Sequence, residues 1–377
     1  MTTMRDYARR WLAVLVLLLV GTALWAAKVR VGVLLPLKEQ TGRATTLVEF
    51  YQGLLMAVDQ ARQDGTDVDV YAYDCGSDES HLQQVLADPN LARLDVIFGP
   101  IDAVQVTTLS EFCRKNRIRM VLPFNTPCPQ VYSNPWIYQV GVTQELLYPG
   151  IASLITDNLS NSNFVIFRTG EKDARGQSFT EHVGQVLKLR NMPVSELSDA
   201  GDELAYDRAL NQFRTNVVVP DSRSQTALAR MLKGIKEYQK SHTQYRIKLL
   251  GYPEWLTYTA NNLQDFYKFD THIYSSYYRN PLSGRVAKFE QAYRQNFGHS
   301  SRPLFPRAEM LGYDLGYYFL SGLATLGEYF EADQEAIQQQ PVQHYFRFQR
   351  VGEGGGFVNL HVQLVHYGTN KTISVVK

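Results

Sequence analysis

The sequence predicts an α/β protein: two doubly wound, Rossmann-like lobes joined by a hinge, with a cleft between them. Three observations predict it. Short apolar strand signals alternate with helix-spaced apolar stripes for about 250 residues. The alternation restarts near Val142, which makes two runs rather than one. The chain has 377 residues, and at ~100–200 residues per domain that length suits two domains.

Residues 1–27 stand apart from the fold. Arg5, Arg9 and Arg10 form a basic region, Trp11 to Val20 an apolar run, and Gly21, Ala23, Ala26 and Ala27 supply small residues. This is the pattern of a secretory signal peptide, shorter than the ~20 apolar residues of a membrane span. An exported, periplasmic location is therefore expected. Without the leader the formal charge of +1 becomes −1, since three Arg and one Asp leave. A near-neutral chain has no electrostatic footprint for nucleic acid or an anionic membrane. Cys75, Cys113 and Cys128 are too few for a disulfide framework and are expected as buried thiols.

The first run opens at Val29-Arg30-Val31-Gly32-Val33-Leu34-Leu35. A continuous apolar run of this length suits a parallel strand buried on both faces. Leu47, Phe50, Tyr51, Leu54, Val58 and Ala61 then keep helical spacing. Strands follow at 68–73, 96–98 and 120–122, with helices at 82–91 and around Val106, Leu109 and Cys113. After Ile137 to Val142 the second run begins. Ile151, Leu154, Ile155 and Leu159 make a helix stripe, with Pro149 suited to its first turn. Strands are predicted at 164–167, 217–219, 247–250 and 272–274. Helices are predicted around Phe179, Val183 and Leu187, at 228–238, around Val286, Phe289 and Tyr293, and at 310–326. Val358, Leu360, Val362 and Leu364 alternate with polar residues, which predicts one strand with a solvated face. Phe346-Arg347-Phe348 and Ile373-Ser374-Val375 are its expected neighbours.

Motifs for catalysis are missing. There is no Gly-x-Ser-x-Gly elbow, no phosphate-binding Gly-rich loop, no His-Glu-x-x-His and no Cys-x-x-Cys. No enzyme activity, cofactor or metal is expected. In doubly wound sheets the ligand crevice lies beyond the carboxyl ends of the strands, so two facing lobes make a cleft that a hinge can close.

In this order, Val31-Gly32-Val33-Leu34-Leu35-Pro36, Tyr73-Asp74, Val96-Ile97-Phe98-Gly99-Pro100, Val121-Leu122-Pro123, Gly251-Tyr252-Pro253-Glu254-Trp255 and Leu311-Gly312-Tyr313-Asp314 resemble the type I periplasmic-binding-protein family. That family includes the branched-chain amino-acid binding proteins of ABC importers. With Gly355-Gly356-Phe357-Val358-Asn359, the chain is most similar to the Bacteroidetes branch, whose members are often fused to LysM modules; no LysM module is visible here. The resemblance implies three crossovers between lobes, near Val142, Tyr277 and Phe330. Residues 28–142 plus 278–330 would form lobe one, and 143–277 plus 331–377 lobe two.

The resemblance also implies the function: an exported protein that captures a small polar ligand, an amino acid or short peptide, for an ABC permease or sensor. The alternative is a cell-envelope scaffold or regulator of the same fold, with a protein partner and no small ligand. In amino-acid-binding members the ligand carboxylate sits on the loops after the third and fourth strands, here Asp102-Ala103 and Asn125-Thr126. The family's serine is absent near Ala103. Asp102 either faces the ligand or caps the next helix. Glu254 aligns with the family's acidic partner for a ligand ammonium; otherwise Tyr252-Pro253-Glu254-Trp255 is a structural turn. Asp221 and Ser222 occupy a similar position after the strand at 217–219. Tyr252, Trp255, Tyr274, Tyr277 and Tyr278 either line the cleft or pack in the core.

Overall fold

The computed structural model describes residues 28–38, 42–198 and 202–376. The expected leader, residues 1–27, lies outside them. In chain order the first run is β1 (Val29–Leu35), α1 (Gly42–Gln63), β2 (Val68–Asp74), α2 (Glu79–Leu86), β3 (Val96–Phe98), α3 (Ala103–Asn116), β4 (Arg119–Leu122) and β5 (Ile137–Gln139). The second is α4 (Gln144–Leu159), β6 (Ser162–Arg168), α5 (Ala174–Leu189), β7 (Val194–Ser198), α6 (Glu203–Ala209), β8 (Thr215–Pro220), α7 (Gln225–Tyr238), β9 (Ile247–Gly251), α8 (Thr259–Lys268) and β10 (Thr271–Ser275). Then come α9 (Gly284–Phe297), α10 (Ala308–Leu326), β11 (Phe348–Arg350), β12 (Phe357–Asn359), β13 (Gln363–Tyr367) and β14 (Ile373–Val376).

Two seven-stranded sheets result, ordered β2-β1-β3-β4-β5-β12-β11 and β7-β6-β8-β9-β10-β13-β14. The two orders are the same pattern repeated, and in each the first five strands run parallel. This is the doubly wound arrangement in two copies.

Burial on both faces explains the continuous apolar strands. In β1, Val31, Val33 and Leu35 point into a core shared with α1 and α10, while Leu34 points into a second core with Val106 and Leu109 of α3. The second lobe packs around Phe164, Phe167, Phe179, Val218 and Leu249. Helix starts follow local chemistry: the side chains of Asp78, Asp173, Asp202, Ser224 and Ser283 each accept a backbone N–H at a helix N-terminus.

Two glycines set the distance between α1 and α10. A Cβ on Gly312 would lie 2.9 Å from the Phe50 carbonyl carbon and 3.0 Å from the Leu54 nitrogen, closer still to the Phe50 oxygen. Gly53 meets the backbone of Glu309 in the same way, with its Cβ position 2.6 Å from the carbonyl carbon. These helices touch backbone to backbone, which only glycine permits.

Four expectations need correction. The alternating run from Val358 to Leu364 is two strands in different sheets: β12 runs parallel to β5 in the first, and β13 antiparallel to β10 in the second. One extended segment serves both, so its period-two pattern continues through the crossover at 360–362. The third crossover is therefore there and not near Phe330. Phe330, Ile337, Phe346, Phe348 and Phe357 all pack into the first lobe's core, so residues 331–359 do not belong to lobe two. Pro149 is not in the first turn of its helix but inside it, because α4 begins at Gln144. Finally, β7, α6 and α8 were not predicted; their apolar residues are too few or too scattered to show a period. The three cysteines are buried free thiols.

Candidate functional site

Loops at the carboxyl ends of β4, β5, β9 and β10 face one another across a cleft with a cavity volume of about 460 Å³. Lobe one contributes Phe124, Asn125, Phe305, Leu311 and His344. Lobe two contributes Gln144, Leu147, Glu254, Thr257, Tyr258 and Tyr274. All three crossovers border it, through Val140 to Val142, Ser276 and Tyr277, and Asn359. The cleft is thus walled by both lobes and by the segments that join them.

Of the sequence-derived candidates, Asn125, Glu254, Tyr274 and Tyr277 line the cleft, and the others do not. Asp102, Thr126, Asp221, Ser222 and Tyr252 are each taken up by a partner. Asp102 sits at the N-cap position of α3 but makes no side-chain cap hydrogen bond. Its carboxylate instead takes both arms of Arg43, at 2.9 and 3.2 Å. The capping role does not hold. Ala103 is exposed on the first turn of α3, away from the cleft. Thr126 is buried and donates its hydroxyl to the Ile101 carbonyl at 3.0 Å.

The lobe-two candidates are spent on a polar network behind the cleft. Asp221 is buried and accepts the Thr169 amide at 2.8 Å and its hydroxyl at 2.7 Å. Ser222 donates to Glu171 at 2.6 Å. Burial works to raise the Glu171 pKa, but the Ser222 and Ser224 hydroxyls and the Arg230 guanidinium hold it below the usual range. Tyr252 is fully buried, and its hydroxyl donates to the Pro220 carbonyl at 2.5 Å. It is a core residue, as is the buried Trp255 beside it. Tyr278 faces a different, outer depression.

Glu254 is held from behind. Arg223 donates to its Oε1 at 2.5 Å and also grips both oxygens of Asp173. Burial opposes ionisation of Asp173, yet Arg223 and the Gly176 amide keep its pKa low. Arg223 therefore serves two carboxylates, and the trio keeps one net negative charge. Glu254 Oε2 is buried without a hydrogen-bond partner, as are the Tyr274 hydroxyl and Gln144 Oε1 on the same wall. Burial raises the pKa values of Tyr258, Tyr274 and Tyr277, and the Glu254 carboxylate adds to each rise. His344, pushed down to about 3 by burial, is neutral at pH 7.

The sequence reading missed Tyr258, Phe305, Gln144 and His344. None belongs to a motif; each reaches the cleft through a loop or helix end whose position is set by packing. Among the described residues no cluster of three or more His, Cys, Asp or Glu side chains fits a metal ion. No helix among them is long and apolar enough to cross a membrane.

The fold, its paired sheets and its interlobe cleft define a two-lobed α/β protein of the type I periplasmic-binding-protein architecture. Solved structures of this architecture align over nearly the whole chain. A candidate branched-chain amino acid ABC transporter from Rhodospirillum rubrum shares 15% identity and a TM-score of 0.62, covering 93% of this chain and 100% of that one. A branched-chain amino acid ABC transporter periplasmic ligand-binding protein from Burkholderia xenovorans gives 13% and 0.54, over 93% and 94% of the two chains. An ABC transporter substrate-binding protein from Sphaerobacter thermophilus gives 14% and 0.52, over 93% and 96%. At these identities the fold is what is shared. No protein-family model matches the sequence, and no curated protein matches it.

Proposed function

We propose that this chain is an exported solute-binding protein that captures a small, amine-bearing ligand by closure of its two lobes. It then presents the ligand to an ABC permease or an envelope sensor. The observation that carries the reading is the cleft itself: three of the residues that line it, Glu254, Tyr274 and Gln144, each hold a buried polar atom without a partner. Buried polar groups are nearly always hydrogen-bonded, so orphans gathered on one wall are explained by a ligand that completes them. The solved neighbours named for substrate or ligand binding support the same reading.

Thermal-shift screening with amines, amino acids, short peptides, sugars and muropeptides tests it, with small-angle scattering on any hit. A ligand at 100 times its dissociation constant stabilises the native state by ~2.7 kcal/mol. A shifted melt with a smaller radius of gyration is the expected result. A flat response from every class would refute solute binding and favour an envelope scaffold of this fold.

A further inference from the structure

We infer that the cleft selects an organic monocation with an apolar body and no carboxylate: an amine rather than an amino acid. This rests on the solute-binding reading above and names the ligand class for that site.

Among the described residues lining the cleft, Glu254 is the one charged side chain at neutral pH; no lysine or arginine lines it. Arg223 stands behind Glu254 and is shared with Asp173, so the net charge presented forward is negative. A ligand carboxylate placed here would meet Glu254 and find no cation. An unpaired buried anion is costly and neutralises or stays out. The N-terminus of α4 also meets this wall and its field favours an anion, but Glu145 in its first turn offsets that field.

Asp102 and Thr126, on the loops after β3 and β4, are both paired within lobe one. The loop after β3 holds the Asp102–Arg43 ion pair, with Arg43 also reaching Ser77. The Thr126 hydroxyl is turned inward to Ile101.

The Tyr274 hydroxyl and Glu254 Oε2, on two residues that line the cleft, are both buried without a partner. Ammonium N–H groups donate to both. Phe124, Tyr258, Tyr274, Tyr277 and Phe305 supply aromatic rings around the same space. Their faces attract a cation and their area suits an apolar ligand body.

Isothermal titration on the purified protein at pH 7 tests the inference with matched probes. Phenethylamine and isoamylamine are compared with phenylalanine and leucine, which add only a carboxylate, and with 3-phenylpropionate, which lacks the amine. The expected result is binding of at least one amine at least tenfold tighter than its amino acid, with no binding of 3-phenylpropionate. Glu254→Gln should weaken that amine at least tenfold with the melting temperature unchanged. An amino acid that binds as tightly as its amine, or amine affinity unchanged in E254Q, overturns the inference while solute binding stands. Binding of a sugar or peptide but none of the amines does the same. No titration by any probe or by the wider panel overturns both readings.

Discussion

Replacing Gly312 with alanine tests whether α1 and α10 truly meet backbone to backbone. The added methyl would lie 2.9 Å from the Phe50 carbonyl carbon and 3.0 Å from the Leu54 nitrogen. Carbon atoms settle at ~3.5–4.0 Å, and these neighbours are main chain, unable to rotate aside. The helices must separate, which loosens a packed face that includes Phe50, Leu54, Leu315 and Phe319. Overpacking usually costs ~1–3 kcal/mol, and a clash with rigid backbone puts this case at the top of that range or above. For a lobe of this size ~3 kcal/mol lowers the melting temperature by ~6–12 °C. Gly284→Ala is the control: nothing lies within 4 Å of its Cβ position, and alanine favours helix. Calorimetry on the three proteins reads the difference. A Gly312→Ala melt within 1–2 °C (about the scatter of such scans) of the parent would show that the interface yields, and the argument from rigid packing would fail.

Three further outcomes are expected. Asp102→Ala should leave ligand affinity unchanged and cost no more than ~1 kcal/mol, since its pair with Arg43 is partly exposed and outside the cleft; a tenfold loss of affinity in titration would restore Asp102 to the site. Glu331→Ala should cost about 3 kcal/mol in urea unfolding, because it strands Arg119, which is buried between Trp136 and Phe330 and paired to both Glu331 oxygens; a cost under ~0.5 kcal/mol would mean water rescues the arginine. His272 is held down to about 4 by burial, so it is neutral when folded and gains a proton on unfolding below its ordinary 6.5. Its contribution is present above pH 6.5 and is lost as pH falls toward 4, by ~2 kcal/mol between pH 6.5 and 5. Comparison with His272→Gln at pH 7.5 and 5.0 isolates this from Asp314, whose carboxyl burial raises to about 7 and which therefore titrates in the opposite sense. An equal pH dependence in both proteins would contradict the assignment.

Much of the fold was legible in the chain because its signals are local. A strand covered on both faces must be apolar throughout, so Val31 to Leu35 announced itself, and a helix with one buried side shows its period, as in α7. The restart near Val142 gave the second lobe. Two residues of the Leu311-Gly312-Tyr313-Asp314 motif were visible without their reasons. Gly312 is there because Phe50 backbone lies against it. Asp314 is there because its carboxylate accepts the amides of Val342, Gln343 and His344, pinning the segment that brings His344 to the cleft. The path of residues 331–359 was not legible, since a strand's pattern does not say which sheet it joins.

For the site, the chain by itself determined that Glu254 follows a buried strand at a lobe's edge, where a carboxylate can face a ligand. It also placed Thr126, Asp221, Ser222 and Tyr252 near the ends of β4, β8 and β9. Only the tertiary structure decided which of these still had an atom to offer. A hydroxyl or carboxylate binds whatever donor or acceptor lies within about 3 Å, and that neighbour usually comes from a distant part of the chain. Tyr252 found Pro220, Asp221 found Thr169, and Asp102 found Arg43. Glu254 found Arg223 for one oxygen and kept the other without a partner.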